Sequence, residues 1–281
     1  MAAGNHVLTG GPDPALVRRL TATVAREQAV HGNRLLVVGI TGAQGSGKST
    51  LAAALADRLA GMALPTAILS LDDLYLTRAE RMRLAQTVHP LFATRGVPGT
   101  HDVALGLSVI AALEHGEAAR LPRFDKAKDD RLPESEWPAA PAGCRVLLFE
   151  GWCVGARPQE ADALADPVNT LEATEDPHGI WRGHANAALG GPYRALFDRI
   201  DLLILLAAPG FGVVSEWREE QEAKLRTRSD GARVMPPAQV ERFIRHYERI
   251  TRHILAEMPA RADVTVRLGS GREVLAIEGR G

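Results

Sequence analysis

Residues 34–61 read RLLVVGITGAQGSGKSTLAAALADRLAG, and three patterns follow one another along them. RLLVVGI (34–40) is an unbroken apolar run, which suits a strand buried on both faces of a parallel sheet. Leu51, Leu55 and Leu59 recur four apart and Gly61 supplies a stop, so residues 48–60 are predicted to form a helix packed on that sheet. A glycine-rich turn joins the two, and strand, turn and helix make the first half of a βαβ unit.

The pattern repeats outward from there. PTAILSL (65–71), CRVLLFE (144–150) and DLLILLA (201–207) read as further strands, each followed by polar or glycine-containing sequence. The alternation predicts an α/β fold with a doubly wound, mainly parallel sheet and flanking helices. Asp13 and Pro14 open an amphipathic helix over 13–30, and DVALGLSVIAALEHG (102–116) is a second. Val240, Phe243, Ile244, Tyr247, Ile250 and Ile254 give a long helix after Pro236 and Pro237, with Tyr247 read as core. DVTVRL (263–268) and REVLAI (272–277) are read as a terminal strand pair. Residues 88–142 form a long excursion rich in Pro, Gly, Asp and Arg, a composition and length that favour function. Residues 155–180 read as a blander surface insertion, and the whole chain, 1–281, as a single domain.

Composition narrows the partners. The 281 residues carry a formal charge of −1 and are 46% hydrophobic, enough for a core and without the basic field that nucleic acid demands. No apolar run reaches the roughly 18 residues that a membrane span needs. Cys144 and Cys153 fit neither a disulfide framework nor a zinc site, so they are read as free thiols of a cytoplasmic protein. Small molecules are the expected partners; oligomeric state is left open. Lysine occurs only at Lys48, Lys126, Lys128 and Lys224; such rarity either marks a place where a compact ammonium is of use or reflects chance usage, and chance is the preferred reading for Lys128 and Lys224.

GAQGSGKS (42–49) matches the phosphate-binding pattern G-x-x-x-x-G-K-[ST] between a strand and a helix, as a P-loop NTPase fold requires. Gly42, Ala43, Gln44, Gly45, Ser46, Gly47, Lys48, Ser49 and Thr50 are then the nucleotide cradle. Lys48 reaches the terminal phosphates, and the Ser49 hydroxyl holds magnesium. No Asn-Lys-x-Asp stretch reads guanine and no second nucleotide fold or long mechanical linker is present, which leaves a compact small-molecule kinase. Such an enzyme needs a base for the acceptor hydroxyl, a second acid on the metal side and cations for the moving phosphoryl group. Asp72 and Glu150 end strands at the carboxyl edge of the sheet, where such folds bind ligands. Glu150 suits magnesium or its water; helix capping is the alternative for either acid. In SLDDLY (70–75), strand alternation would send Asp72 and Asp73 to opposite faces without saying which one acts.

GAQGSGKST, SLDDLYLTRAER, TRGVPGTHD, LPRFDKAKDDR, VLLFEGWCVGARP and WREEQEAKL, in this order, resemble the D-glycerate 3-kinase family within the P-loop kinases that include phosphoribulokinase, uridine kinase and pantothenate kinase. The resemblance covers residues from about 35 to 277. It implies ATP and magnesium, a hydroxy-acid acceptor, and Asp72 as the base, with Leu74 where phenylalanine is usual. Asp73 is then free to cap the segment entering TRAER, the preferred reading, or to touch metal-bound water. Tyr75 borders the acceptor pocket, and the segments GTHD (99–102) and PRFDK (122–126) bind the acceptor. Arg95, His101, Lys126 and Arg131 are the cations offered to its carboxylate, with Asp102 and Asp125 beside them; a loop-locking His101–Asp102 pair is the alternative. A lid-like helical region over 212–235 brings arginines to the nucleotide phosphates, with Arg218, Arg226 and Arg228 as candidates. Trp152 either shapes the pocket floor or packs. The activity implied is phosphorylation of D-glycerate to 3-phosphoglycerate. A kinase for pantothenate or a nucleoside, or an ATP-binding regulator, remains open at this point.

Overall fold

The computed structural model describes residues 11–218, 220 and 237–280. Six strands form one sheet in the order β2-β5-β1-β6-β7-β8. They are β1 (Leu36–Gly42), β2 (Thr66–Ser70), β5 (Val146–Gly151), β6 (Leu202–Ala207), β7 (Val264–Leu268) and β8 (Val274–Gly279). All neighbours pair in parallel except β7 and β8, the antiparallel pair expected from the terminal repeat of apolar residues. Because β2 and β5 lie on one side of β1 and β6 and β7 on the other, the crevice beyond the carboxyl end of β1 is the switch point of the fold.

β1, β5 and β6 are buried along their whole length, which is why their sequences are apolar without alternation. One face of the sheet packs on α1 (Pro14–His31) and α2 (Lys48–Ala60) through Leu20, Val24, Leu51, Leu55 and Leu59. Each of those leucines is fully enclosed, and a Leu55→Ala change is expected to cost about 2–5 kcal/mol. The other face packs on α4 (Val103–Glu114), α7 (Pro192–Phe197) and α9 (Pro237–Glu257) through Ile110, Leu113, Leu196, Tyr247 and Ile250. The helix start read at Asp13 and Pro14 is observed, with the Asp13 carboxylate accepting from Ala15 N–H at 2.7 Å; Asp102, read from sequence as an acceptor-side residue, caps α4 by accepting from Leu105 N–H at 2.9 Å. Between β2 and α4 lies α3 (Arg78–Thr87), whose cap is Thr77 with Glu80 in a reciprocal box. Cys144 and Cys153 are free thiols, and no helix among the described residues is long and apolar enough to cross a membrane.

The stretch 155–180 departs from its reading as a surface insertion. It carries α5 (Thr170–Glu175) and leads into α6 (Ile180–Gly190), with Leu171 and Trp181 buried against Phe92. Arg249 of α9 forks onto the wholly enclosed Glu172 at 2.8 and 2.6 Å and also donates to Ala163 O at 2.6 Å. Asp176, buried too, accepts from Arg182 Nη1 at 3.1 Å. In sequence these charges look solvated; their partners sit on other elements, so the local pattern carries no sign of burial.

Candidate active site

The phosphate loop joins β1 to α2 at the switch point. Gly45 and Gly47 have φ of +79° and +89°, the left-handed region that glycine occupies without a Cβ penalty. Lys48 opens α2 and has no ion-pair partner among the described residues, which leaves its ammonium available to an anion. Register places the second acid beside this loop: Glu150 pairs across the sheet with Ile40 of β1 and Ser70 of β2. The Ser49 hydroxyl donates to Glu150 Oε1 at 3.0 Å, while the buried Oε2 has no hydrogen-bond partner. An orphaned carboxylate oxygen beside a hydroxyl fits a hard divalent cation or a water bound to it. No group of three His, Cys, Asp or Glu side chains that could hold a metal ion occurs among the described residues.

Asp72 and Asp73 do not continue β2. They sit in a single 3-10 turn, Leu71–Leu74, and it is this turn, not strand alternation, that separates them. Asp72 Oδ2 accepts from Lys126 Nζ at 2.6 Å and Oδ1 from the Tyr75 hydroxyl at 2.7 Å. Burial pushes its carboxyl up, but the ammonium groups of Lys126 and Lys48 and the two hydrogen bonds prevail and hold it well below the usual carboxylate range. Asp73 moves the other way: burial raises it, and the bonds it accepts from Phe124 N–H at 3.0 Å and Arg123 at 3.3 Å offset only part of that. The reading of Asp73 as a cap on the TRAER helix is therefore corrected. Thr77 does that work, and Asp73 clips the hairpin of β3 (Phe124–Asp125) and β4 (Asp130–Arg131) to the end of β2.

The acceptor-side segments converge on the same turn. His101 bridges Tyr75 in antiparallel fashion, and their rings stack with centroids 4.7 Å apart. The Tyr193 hydroxyl accepts from Gly99 N–H at 3.0 Å and His101 N–H at 3.3 Å, and lies 2.6 Å from His101 Nδ1. With both lone-pair positions used, its one hydrogen goes to Nδ1, which places the imidazole proton on Nε2. That nitrogen is buried without a hydrogen-bond partner. Burial lowers the His101 pKa to about 3 against the pull of Asp72, so the expectation of a cation here is corrected to a neutral N–H donor. No direct His101–Asp102 lock forms: His101 is held by Tyr193, whereas Asp102 caps α4 and pairs with Arg131 at 3.1 Å.

The other predicted cations differ in what remains free. Arg131 is engaged by Asp102 and by Tyr75 O at 2.9 Å, a role in holding the segments together. Arg95 is paired with Asp129 and its guanidinium carbon stands 5.5 Å from the Phe124 ring centre. Lys126 is 60% exposed and reaches back to Asp72. Asp125 accepts from the N–H groups of Ala127 and Lys128, so its carboxylate closes its own turn. Trp152 packs and also acts as a pin: it is buried, and its Nε1–H donates to Gly96 O at 2.8 Å. Gly96 (φ +132°) lies so close to Tyr247 that a Cβ would fall 2.0 Å from the phenol oxygen. Tyr247, read as core, thus also donates to Arg95 O at 3.2 Å and fixes the 95–101 loop. Tyr193 was not legible: it is an aromatic residue 92 positions from the histidine it orients.

Helix α8, described over residues 212–218, leads from β6 toward the lid-like region. Arg218 has its guanidinium carbon 5.6 Å from the Phe243 ring centre. Arg226 and Arg228 lie outside the described residues.

A mainly parallel sheet with a phosphate loop at its switch point, an ionised aspartate at the next strand end and a serine–glutamate pair beside the loop define a small-molecule kinase of the P-loop class. Residues 37–156 match the phosphoribulokinase/uridine kinase family model. The chain is 37% identical over 224 residues to the uncharacterized kinase mug58 of Schizosaccharomyces pombe, covering 76% of this chain and 79% of that one. It is 30% identical over 223 residues to the chloroplastic D-glycerate 3-kinase of Arabidopsis thaliana, covering 75% of this chain but only 46% of the plant protein. The solved D-glycerate 3-kinase of Cryptococcus neoformans superposes with a TM-score of 0.82 at 27% identity, over 95% of this chain and 99% of that one. The chain belongs to the D-glycerate 3-kinase family.

Proposed function

We propose that the chain transfers the γ-phosphoryl group of ATP to a hydroxyl of D-glycerate, yielding 3-phosphoglycerate. The observation that carries this reading is the Asp72 carboxylate, ionised at the carboxyl edge of β2 and on the same edge as Lys48 and the Ser49–Glu150 pair. A carboxylate there can orient an acceptor hydroxyl and take its proton. Its low basicity suits a loose phosphoryl-transfer transition state, in which positioning matters more than early proton removal. Lys48, with Arg218 or Arg226 from the lid-like region, balances charge on the moving group. Ser49 and Glu150 would hold magnesium, which supplies further neutralisation of phosphate charge when bound.

The acceptor class follows from what its entry displaces. A hydroxyl that bonds Asp72 takes the place of the Lys126 ammonium, and a carboxylate on the same small molecule gives that ammonium a new partner. A neutral acceptor would leave it unpaired. Arg95 supplies further positive charge and His101 Nε2 a neutral donor, with Tyr75 at the edge of the pocket. Two relatives that are named D-glycerate 3-kinases support the same acceptor. The test is a panel of acceptors with purified protein and magnesium ATP, read by phosphorus NMR of the product. D-Glycerate is expected to give 3-phosphoglycerate. Turnover of uridine or pantothenate with none of glycerate would overturn the assignment.

A further inference from the structure

The hairpin between β7 and β8 lies far along the chain from the phosphate loop, yet one of its side chains ends on it. Arg272 Nε donates to Gly45 O at 2.7 Å. The same guanidinium donates to Trp217 O at 3.4 Å and to Glu220 at 2.6 Å, and its carbon stands 5.2 Å from the Trp217 ring centre. Trp217 is buried, donates through Nε1 to Ser270 O of the same hairpin at 2.6 Å, and backs onto Gly45 so closely that a Cβ there would fall 2.7 Å from its own Cβ. Arg272 also has φ +68°, the left-handed region that a long side chain rarely takes. Such a conformation persists only where its surroundings fix it.

A phosphate loop works by turning backbone N–H groups inward, and a carbonyl turned away from them needs a donor of its own. We propose that Arg272 is a positioning residue for nucleotide binding: it holds the Gly45 carbonyl and clamps Trp217 against Gly45, so that the loop is preorganised for phosphate before the nucleotide arrives. The clamp also ties the loop to the root of α8, the helix that leads into the lid-like region.

The experiment is calorimetric binding of magnesium ADP, which needs no acceptor and so stands or falls apart from the glycerate assignment. Arg272→Ala is expected to raise the Kd about tenfold, the effect of losing one well-placed hydrogen bond from a charged donor. Arg272→Lys, which keeps the charge but not the fork, is expected to fall between the two. Arg272→Gly keeps the φ of the turn without strain, so it should be at least as thermostable as the alanine variant while binding ADP as weakly. Wild-type affinity in the glycine variant would reduce Arg272 to a turn former and overturn the proposal, as would a Kd within twofold of wild type in all three. If the alanine variant does not fold, the glycine and lysine variants decide the matter by the same readout.

Discussion

The phosphate half and the acceptor half of the site are built in opposite ways. The first is built round a stretch continuous in sequence: β1, the loop and α2 supply Lys48 and Ser49 within one βαβ half, with Glu150 joining from β5 and Arg272 reaching the loop from the β7–β8 hairpin. The second is gathered from separate segments near 72–75, 95–102 and 122–131 and from Tyr193 and Tyr247, held by charged and hydrogen-bonded pairs such as Asp73–Phe124, Arg131–Asp102 and Tyr193–His101. A contiguous motif can be set by local backbone geometry. A pocket gathered from distant segments depends on each cross-link, so single changes there should alter acceptor use while leaving nucleotide binding alone.

The strongest test sits where the halves meet. Asp72→Asn is expected to lower kcat at least about a hundredfold while the affinity for ADP stays within twofold, because the amide neither takes the proton nor keeps the charge. Near-normal turnover would end the assignment of Asp72 as base. Next in size, Lys126→Met should raise the KM for the acceptor about tenfold or more, the scale of a hydrogen bond to a charged group. It should also move the acid limb of kcat/KM. Asp72 has a depressed pKa in the folded protein, so its ionised form is complete above the unfolded carboxylate value and is lost only as pH falls through the lower, folded one. Removing Lys126 raises that folded value, and the limb must shift to higher pH; an unmoved limb would mean that Lys126 does not govern Asp72.

Tyr193→Phe removes the acceptor of two buried N–H groups and the donor to His101 Nδ1, so a rise of about tenfold in acceptor KM and a lower Tm are expected. The KM for ATP should not move. If it rises in parallel, the two halves are coupled and the comparison fails. Arg242→Gln supplies the smallest effect: its pair with Glu175 is exposed on both sides, so stability should change by less than about 0.5 kcal/mol and neither KM should shift.

The acids of SLDDLY show how far the sequence could be read. Their difference is real, since one is held low by two lysines and the other raised by burial. The reason offered by strand alternation was wrong because β2 ends at Ser70 and a 3-10 turn takes over. Arg131 and His101 were legible as residues of the acceptor segments, but not in their states. Whether an arginine is already engaged, or a histidine is stripped of its charge, depends on partners that the chain brings in from dozens of residues away. The same holds for Glu172 and Arg249, whose burial no local pattern announces.

What the sequence by itself determined is the phosphate loop, the alternation of apolar strands and helices, and the cap at Asp13. Each rests on interactions between residues a few positions apart, where periodicity and backbone preference act directly. What only the tertiary structure decided is the charge state of His101, the clip made by Asp73, the pins of Trp152 and Tyr247 on the 95–101 loop and the reach of Arg272 to Gly45. Burial and long-range pairing set those, and both are properties of the packed chain, so no stretch of sequence contains them.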